Sequence, residues 1–145
     1  MTALNNEKLI LNHFIKKYNY IIEKASSEFI TDNLKVSVDG IWKEKDLSIL
    51  LEIDSYNSAK NIFGEYVLLN QVRDYESNCI LVIIHCYKKY NTERTEKYLK
   101  FAVNNLNCHL PYVVMSRARW SGLVEAKSKR QLINILIKAA SKNQS

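Results

Sequence analysis

The chain has 145 residues, of which 47% are hydrophobic and 25% are charged, as in an ordinary globular protein with room for one core. Its longest apolar run, Ile80–Ile84, has the length of a strand and falls far short of the roughly 18 residues of a membrane span. Polar residues 5–8 interrupt any signal-peptide core, and the three cysteines form no C-x-x-C pair. We therefore expect one cytoplasmic domain, residues 1–145, with free thiols and no membrane partner.

The net charge of +6 is unevenly distributed along the chain. Residues 1–75 carry 9 basic and 11 acidic side chains, whereas residues 76–145 carry 12 basic and 4 acidic ones. An acidic half followed by a basic half is typical of a metal site flanked by a surface that binds a polyanion such as nucleic acid. A solvated basic face without a partner would explain the same charges.

The order of predicted elements indicates an α/β fold. Asn5 or Asn6 can cap a first helix, in which apolar residues recur at helical spacing. We expect helices at about 5–25, 59–75, 93–106 and 128–140, strands at 28–31, 34–42, 47–53, 79–87 and 112–115, and a loop containing Arg117, Arg119 and Trp120. The order α-β-β-β-α-β-α-β-α predicts a mixed β-sheet flanked by helices.

Three carboxylates lie on two strands that a short turn joins. Asp39 belongs to the strand before the polar turn 43–46, and Glu52 and Asp54 belong to the strand after it. Carboxylates that converge at one sheet edge form a hard-oxygen site suited to Mg²⁺ or Mn²⁺. Such an ion supports phosphodiester hydrolysis. The alternative is that Asp39 belongs to an Asp-Gly turn and that Glu52 is an exposed strand end.

A second group of residues is basic and aromatic. Arginine and lysine contact phosphates, and tryptophan can stack on a base. We expect a nucleic-acid-binding surface, or otherwise a solvated basic face, formed by Arg117, Arg119, Trp120, Lys127, Lys129 and Arg130.

These motifs resemble the PD-(D/E)xK nuclease superfamily, which includes restriction endonucleases, RecB-like exonucleases and Holliday-junction resolvases. The resemblance covers about residues 5–116 and implies a restriction-endonuclease-like sheet and Mg²⁺-dependent cleavage of nucleic acid, with DNA as the first choice. Asp39 matches the family aspartate and Glu52 the glutamate of its E-x-K. The segment Gln71-Val-Arg-Asp-Tyr75 is similar to the Q-x-x-x-Y motif of RecB-like members. The family's further acidic residue would be Glu28, or else Glu23.

The chain departs from the family at one catalytic position. Where the family has lysine, this sequence has Asp54. Some members take their lysine from the following helix, which makes Lys60 the candidate here, with Asp54 as a further metal ligand or as the residue that orients Lys60. The departure also supports an alternative, an inactive nucleic-acid-binding or protein-interaction domain on the same fold. A third reading is an unrelated α/β protein whose acidic cluster binds a basic protein. A homodimer formed through the apolar C-terminal helix is compatible with each reading.

Overall fold

The computed structural model describes residues 3–20, 22–24, 27–31, 34–56, 58–72 and 78–144, with only the backbone of 3, 4, 23, 24, 27–31 and 34. The helices are α1 (Ala3–Tyr18), α2 (Ala59–Leu69), α3 (Thr92–Asn105), α4 (Arg117–Ala126) and α5 (Lys129–Gln144). The strands are β1 (Glu23–Lys24), β2 (Ser27–Thr31), β3 (Leu34–Ser37), β4 (Gly40–Lys43), β5 (Ser48–Asp54), β6 (Cys79–His85) and β7 (Tyr112–Ser116). None of the described helices is both long and apolar enough to cross a membrane.

The main sheet has the strand order β1-β4-β5-β6-β7. The pairs β1–β4 and β4–β5 are antiparallel, whereas β6 runs parallel to β5 and β7 runs parallel to β6. Strands β2 and β3 form a separate antiparallel pair. The prediction of an α/β fold with a mixed sheet flanked by helices is confirmed.

Each face of the sheet carries its own hydrophobic core. Side chains alternate along β5, so Leu50 faces α2 and α3 while Ile49 and Leu51 face α1, α4 and α5. The whole of β6 is buried, as expected for a central strand covered on both faces. The core between the sheet and helices α1, α4 and α5 is rich in aromatic rings, and the ring centroids of Phe14 and Trp42 are only 4.7 Å apart.

The first helix is shorter than predicted. It ends at Tyr18 rather than near residue 25, because Asn19 adopts a left-handed conformation with φ 49° that closes the helix. Glu23 and Lys24, expected in the helix, instead pair with β4 as β1. The sequence pattern therefore missed the first strand of the sheet.

Three further boundaries differ from the prediction. The expected strand 34–42 is broken at residues 38–39, where the chain leaves its pairing with β2 and joins β5. Helix α2 ends at Leu69, and the side chain of Asn70 caps it by donating to the Tyr66 carbonyl. The segment 117–120 was wrongly predicted as a loop. It begins α4, because the Ser116 hydroxyl accepts a hydrogen bond from the Arg119 N–H and caps the helix.

Candidate functional site

The carboxyl ends of β5, β6 and β7 meet the start of β4 at one border of the sheet, which we call the carboxyl edge. In the parallel register, Asp54 lies opposite His85, and His85 lies opposite Ser116. The N–H of Asp39 donates to the Leu51 carbonyl at 2.9 Å. Its Oδ2 accepts a 2.7 Å hydrogen bond from the Ile53 N–H. The backbone of β5 therefore fixes the Asp39 carboxylate at this edge.

Four acidic side chains interact here, and we call Glu7, Asp39, Glu52 and Glu65 the acidic cluster. Burial raises the pKa of Glu52, and the charges of Asp39 and Glu65 raise it further. Burial likewise raises the pKa values of Asp39 and Glu65. The pKa of Glu7 is raised by burial and then by the charge on Asp39, which ties α1 to the cluster. None of the ion pairs between described side chains reaches these four residues.

Glu65 carries the most direct sign of a missing partner. Its Oε2 is buried, and no described group donates a hydrogen bond to it. The carboxyl groups of Glu52 and Glu65 are close enough to share a proton. A cation held by the same carboxylates would give Oε2 of Glu65 a partner. As they stand, no three described His, Cys, Asp or Glu side chains form a ready-made metal cage.

Asp54, at the position of the family lysine, is engaged elsewhere. Its Oδ1 accepts from the Tyr56 N–H at 3.1 Å, and its Oδ2 accepts from the Ser58 N–H at 3.2 Å and from Nδ1 of His85 at 2.8 Å. Burial alone would raise the pKa of Asp54, but these hydrogen bonds hold it below its ordinary value. Asp54 thus ties the turn before α2 to the sheet. Its charge also raises the pKa values of Asp39, Glu52 and Glu65, so its role as a further metal ligand stays a prediction.

The other residues expected from the resemblance lie in different places. Lys60 is the second residue of α2, exposed and close in sequence to the carboxyl edge. Gln71 is exposed two residues beyond the end of α2, where its N–H donates to the Leu68 carbonyl at 3.0 Å. Tyr75 lies outside the described residues. Glu23 and Glu28 lie in β1 and β2, with side chains outside the described part.

The basic residues predicted to form one surface are spread over several parts of the molecule. Arg117 lies at the carboxyl edge, whereas Lys127 caps the opposite end of α4. Lys129 pairs with Glu44 at 3.4 Å in the turn between β4 and β5, and Arg119 lies on the outer side of β7 near Glu96. The binding of nucleic acid by these residues therefore stays a prediction, now for cations that lie at different places along α4 and α5. Arg130 is exposed near Lys129 in the sequence.

Trp120 cannot stack on a base as predicted. Its side chain is fully buried, with 0% exposure, and its ring stacks on Phe14 with centroids 6.2 Å apart. Its indole N–H has no hydrogen-bond partner among the described residues. Trp120 is a core residue of α4, and its i+4 neighbour Val124 is buried beside it.

Two members of the acidic cluster, Glu7 and Glu65, escaped the sequence prediction. Both follow helical spacing with buried apolar residues: Glu7 precedes Ile10 by three positions, and Glu65 follows Ile62 by three. An acidic residue within the buried stripe of a helix is a detectable signal, because a carboxylate at such a position needs a partner.

Comparison with known protein families, with curated proteins and with solved structures finds no match to this chain. The function is therefore inferred from the residues of the carboxyl edge and from the order of the strands that carry them.

Proposed function

We propose that the protein is a Mg²⁺- or Mn²⁺-dependent nuclease that hydrolyses phosphodiester bonds in nucleic acid, with DNA as the first substrate to test. The observation that carries this proposal is the acidic cluster itself. Four carboxyl groups with raised pKa values converge at the carboxyl edge, and no described cation pairs with them. Buried like charges are costly, and a divalent cation removes that cost.

The donor set suits such an ion. Asp39, Glu52 and Glu65 offer only oxygen ligands, which Mg²⁺ and Mn²⁺ prefer, and Oε2 of Glu65 lacks a partner. Mg²⁺ commonly uses one or two carboxylates and completes its shell with water and substrate oxygens. In this site Asp39 and Glu52 would ligate the ion directly, and Glu65 would reach it through a bound water, because no three described His, Cys, Asp or Glu side chains are placed to ligate one ion together.

The residues of the chain have distinct tasks in this proposal. Asp39, oriented by the Ile53 N–H, and Glu52 would hold the ion. Glu65 would complete the site from α2, and Glu7 would accept a proton or orient water from α1. A bound divalent ion polarises the phosphate and lowers the pKa of its bound water. Lys60, at the start of α2, would supply the positive charge that the family takes from the position of Asp54.

A second candidate is supported by Asp54. Because His85 and two backbone N–H groups occupy this carboxylate, the position of the family lysine serves the structure of the turn before α2. A domain that binds nucleic acid without cleaving it would need no lysine there. A cytoplasmic location and self-association are part of both candidates.

The experiment is a cleavage assay with the full chain on labelled single-stranded and duplex DNA, in Mg²⁺, in Mn²⁺ and in EDTA. We expect cleavage in the two metals, none in EDTA, and a loss of ~10³-fold or more for Asp39→Asn. Asparagine can still accept from the Ile53 N–H, so the variant should fold. A chain that binds Mn²⁺ and DNA without cleaving favours the second candidate. A chain that neither cleaves nor binds Mn²⁺ overturns the proposal.

A further inference from the structure

A cavity of about 530 Å³ opens at the carboxyl ends of β6 and β7. Its walls include Cys86, Tyr87 and Lys88 from the segment after β6, and Ser116, Arg117 and Ser121 from the start of α4. The volume lies within the range of small-molecule sites in proteins. The crevice outside the carboxyl ends of the strands is also where α/β sheets usually bind their ligands.

The cavity adjoins the acidic cluster along the carboxyl edge. The Cys86 N–H donates to the Asp54 carbonyl at 2.9 Å. Asn6 of α1 bridges the two regions, because its Nδ2 donates to Ser55 Oγ and its Oδ1 accepts from Nη1 of Arg117, both at 3.0 Å. Arg117 is therefore held in the cavity wall beside α1, and the thiol of Cys86, which also lines the cavity, senses the charges of both Arg117 and Asp39.

The lining of the cavity favours an anion. Two of its described lining residues, Arg117 and Lys88, are cationic, and none is acidic. His85 also lines it, but both ring nitrogens already bind Asp54 and Thr95. A guanidinium has several donors in one plane and binds phosphate oxygens in pairs. Only one of those donors is used by Asn6.

The same cavity presents an aromatic ring and hydroxyl groups. Tyr87 is 54% exposed, which leaves its ring available for stacking. Base–aromatic stacking tolerates any base, because every base has a π-face. The hydroxyls of Ser116 and Ser121 can each donate to a phosphate or sugar oxygen. A cation, a hydroxyl and an exposed ring within one cavity match the parts of a nucleotide.

We propose that this cavity is a nucleotide subsite that holds the nucleotide next to the scissile phosphodiester. Arg117 and Lys88 bind its phosphate, and Tyr87 stacks on its base. The inference rests on the proposed function, because the same strand would pass from this cavity to the acidic cluster. This subsite would supply cations that contact the phosphate backbone of the substrate directly, which the carboxylates cannot do.

The first test measures the affinity for a short fluorescein-labelled single-stranded oligodeoxynucleotide in EDTA, where no cleavage occurs. Arg117→Gln should weaken binding about tenfold or more, and Lys88→Gln should weaken it severalfold. Lys138→Gln on α5 is the control, since it removes the same charge from an exposed residue elsewhere and should bind like the wild type. Lys88 is exposed, so its variant should fold even if the loss of Arg117 disturbs the bridge to Asn6.

The second test uses Cys86 as a reporter of occupancy. Alkylation of the full chain, followed by mass spectrometry of each cysteine, should show that the oligonucleotide protects Cys86. Cys79 and Cys108 are buried and outside this cavity, so they serve as internal references. Protection should be lost in Arg117→Gln.

The outcomes separate this inference from the proposed function. Protection of Cys86 together with weaker binding by both variants supports the subsite, even in a protein that never cleaves DNA. A protein that cleaves DNA in an Asp39-dependent way, yet binds equally well in both variants and leaves Cys86 unprotected, overturns the subsite and leaves the nuclease intact.

Discussion

Nδ1 of His85 lies 2.8 Å from Oδ2 of Asp54, directly across the parallel pairing of β5 and β6. His85 continues through its Nε2 to Oγ1 of Thr95 at 2.9 Å, and Thr95 continues to the hydroxyl of Tyr90 at 2.7 Å. The side chains of Asp54, His85 and Thr95 are buried, with exposures of 8% or less. This chain of hydrogen bonds joins the turn before α2 to α3 through the sheet.

Thr95→Val should therefore lower the free energy of unfolding by about 1–3 kcal/mol, because it leaves a buried nitrogen of His85 without its partner. Chemical denaturation measures the change. Thr92→Val, one turn earlier on the same helix and less buried, should stay within about 0.5 kcal/mol of the wild type. Equal effects of the two substitutions would show that the hydrogen-bond chain contributes little.

Glu52→Gln should make the metal-free protein more stable than the wild type, and this difference in the free energy of unfolding should grow as the pH rises. The pKa of Glu52 is raised in the folded state, chiefly by burial, so the folded protein binds its proton more tightly than the unfolded chain does. The free energy of unfolding then falls with increasing pH above the ordinary value of 4.5. Glutamine carries no charge that burial could penalise. At pH ~8 the free energy of unfolding of Glu52→Gln should therefore exceed that of the wild type by about 1.4 kcal/mol or more, the equivalent of one pKa unit.

Urea denaturation between pH ~5 and ~8 in EDTA measures this gain. Glu93→Gln is the matched control, because Glu93 is exposed on α3, and its effect should stay within about 0.5 kcal/mol. A Glu52→Gln protein that is less stable than the wild type at the higher pH would contradict the expected sign.

Mn²⁺ should bind more tightly as the pH rises. Burial and the neighbouring carboxylates raise the pKa of Glu52 to about 10, so this member of the acidic cluster holds a proton near neutral pH that an incoming cation must displace. Affinity should rise by up to about tenfold per pH unit for each proton released. Calorimetric titration in two buffers of different ionisation enthalpy counts the protons. Glu65→Gln should weaken binding and release fewer of them, whereas a pH-independent affinity would exclude ligation by these groups.

Lys60→Ala should reduce cleavage by ~10²-fold or more while leaving Mn²⁺ affinity nearly unchanged, because we assign to it an electrostatic role at the scissile phosphate. Single-turnover cleavage and Mn²⁺ titration measure the two quantities separately. Lys45→Ala, an exposed lysine in the turn between β4 and β5, is the matched control and should cleave like the wild type. Wild-type cleavage by Lys60→Ala would refute the assignment.

The sequence alone was enough to predict most of the sheet and two of its carboxylates. The apolar run of β6 has no polar interruption before His85, so only a strand covered on both faces can bury it. The short turn between β4 and β5 allows little freedom in pairing, which is why Asp39 and Glu52 were predicted to converge. These features are local, because both a continuous apolar strand and a tight turn are determined by residues that are adjacent in the sequence.

Tertiary structure decided which polar side chains belong to the site. The sequence pattern places Asp54 next to the predicted metal ligands, yet the imidazole of His85, 31 positions further along the chain, makes a buried hydrogen bond to its carboxylate. Glu65 reaches the cluster only because Ile62 and Tyr66 pack α2 on the sheet, and Trp120 enters the core because α4 packs on Phe14. Local pattern identifies the strongly apolar elements, such as β5 and β6, by the spacing of their apolar residues. The partner of a buried polar group depends on contacts between segments distant in sequence, and these form only when the two cores are packed.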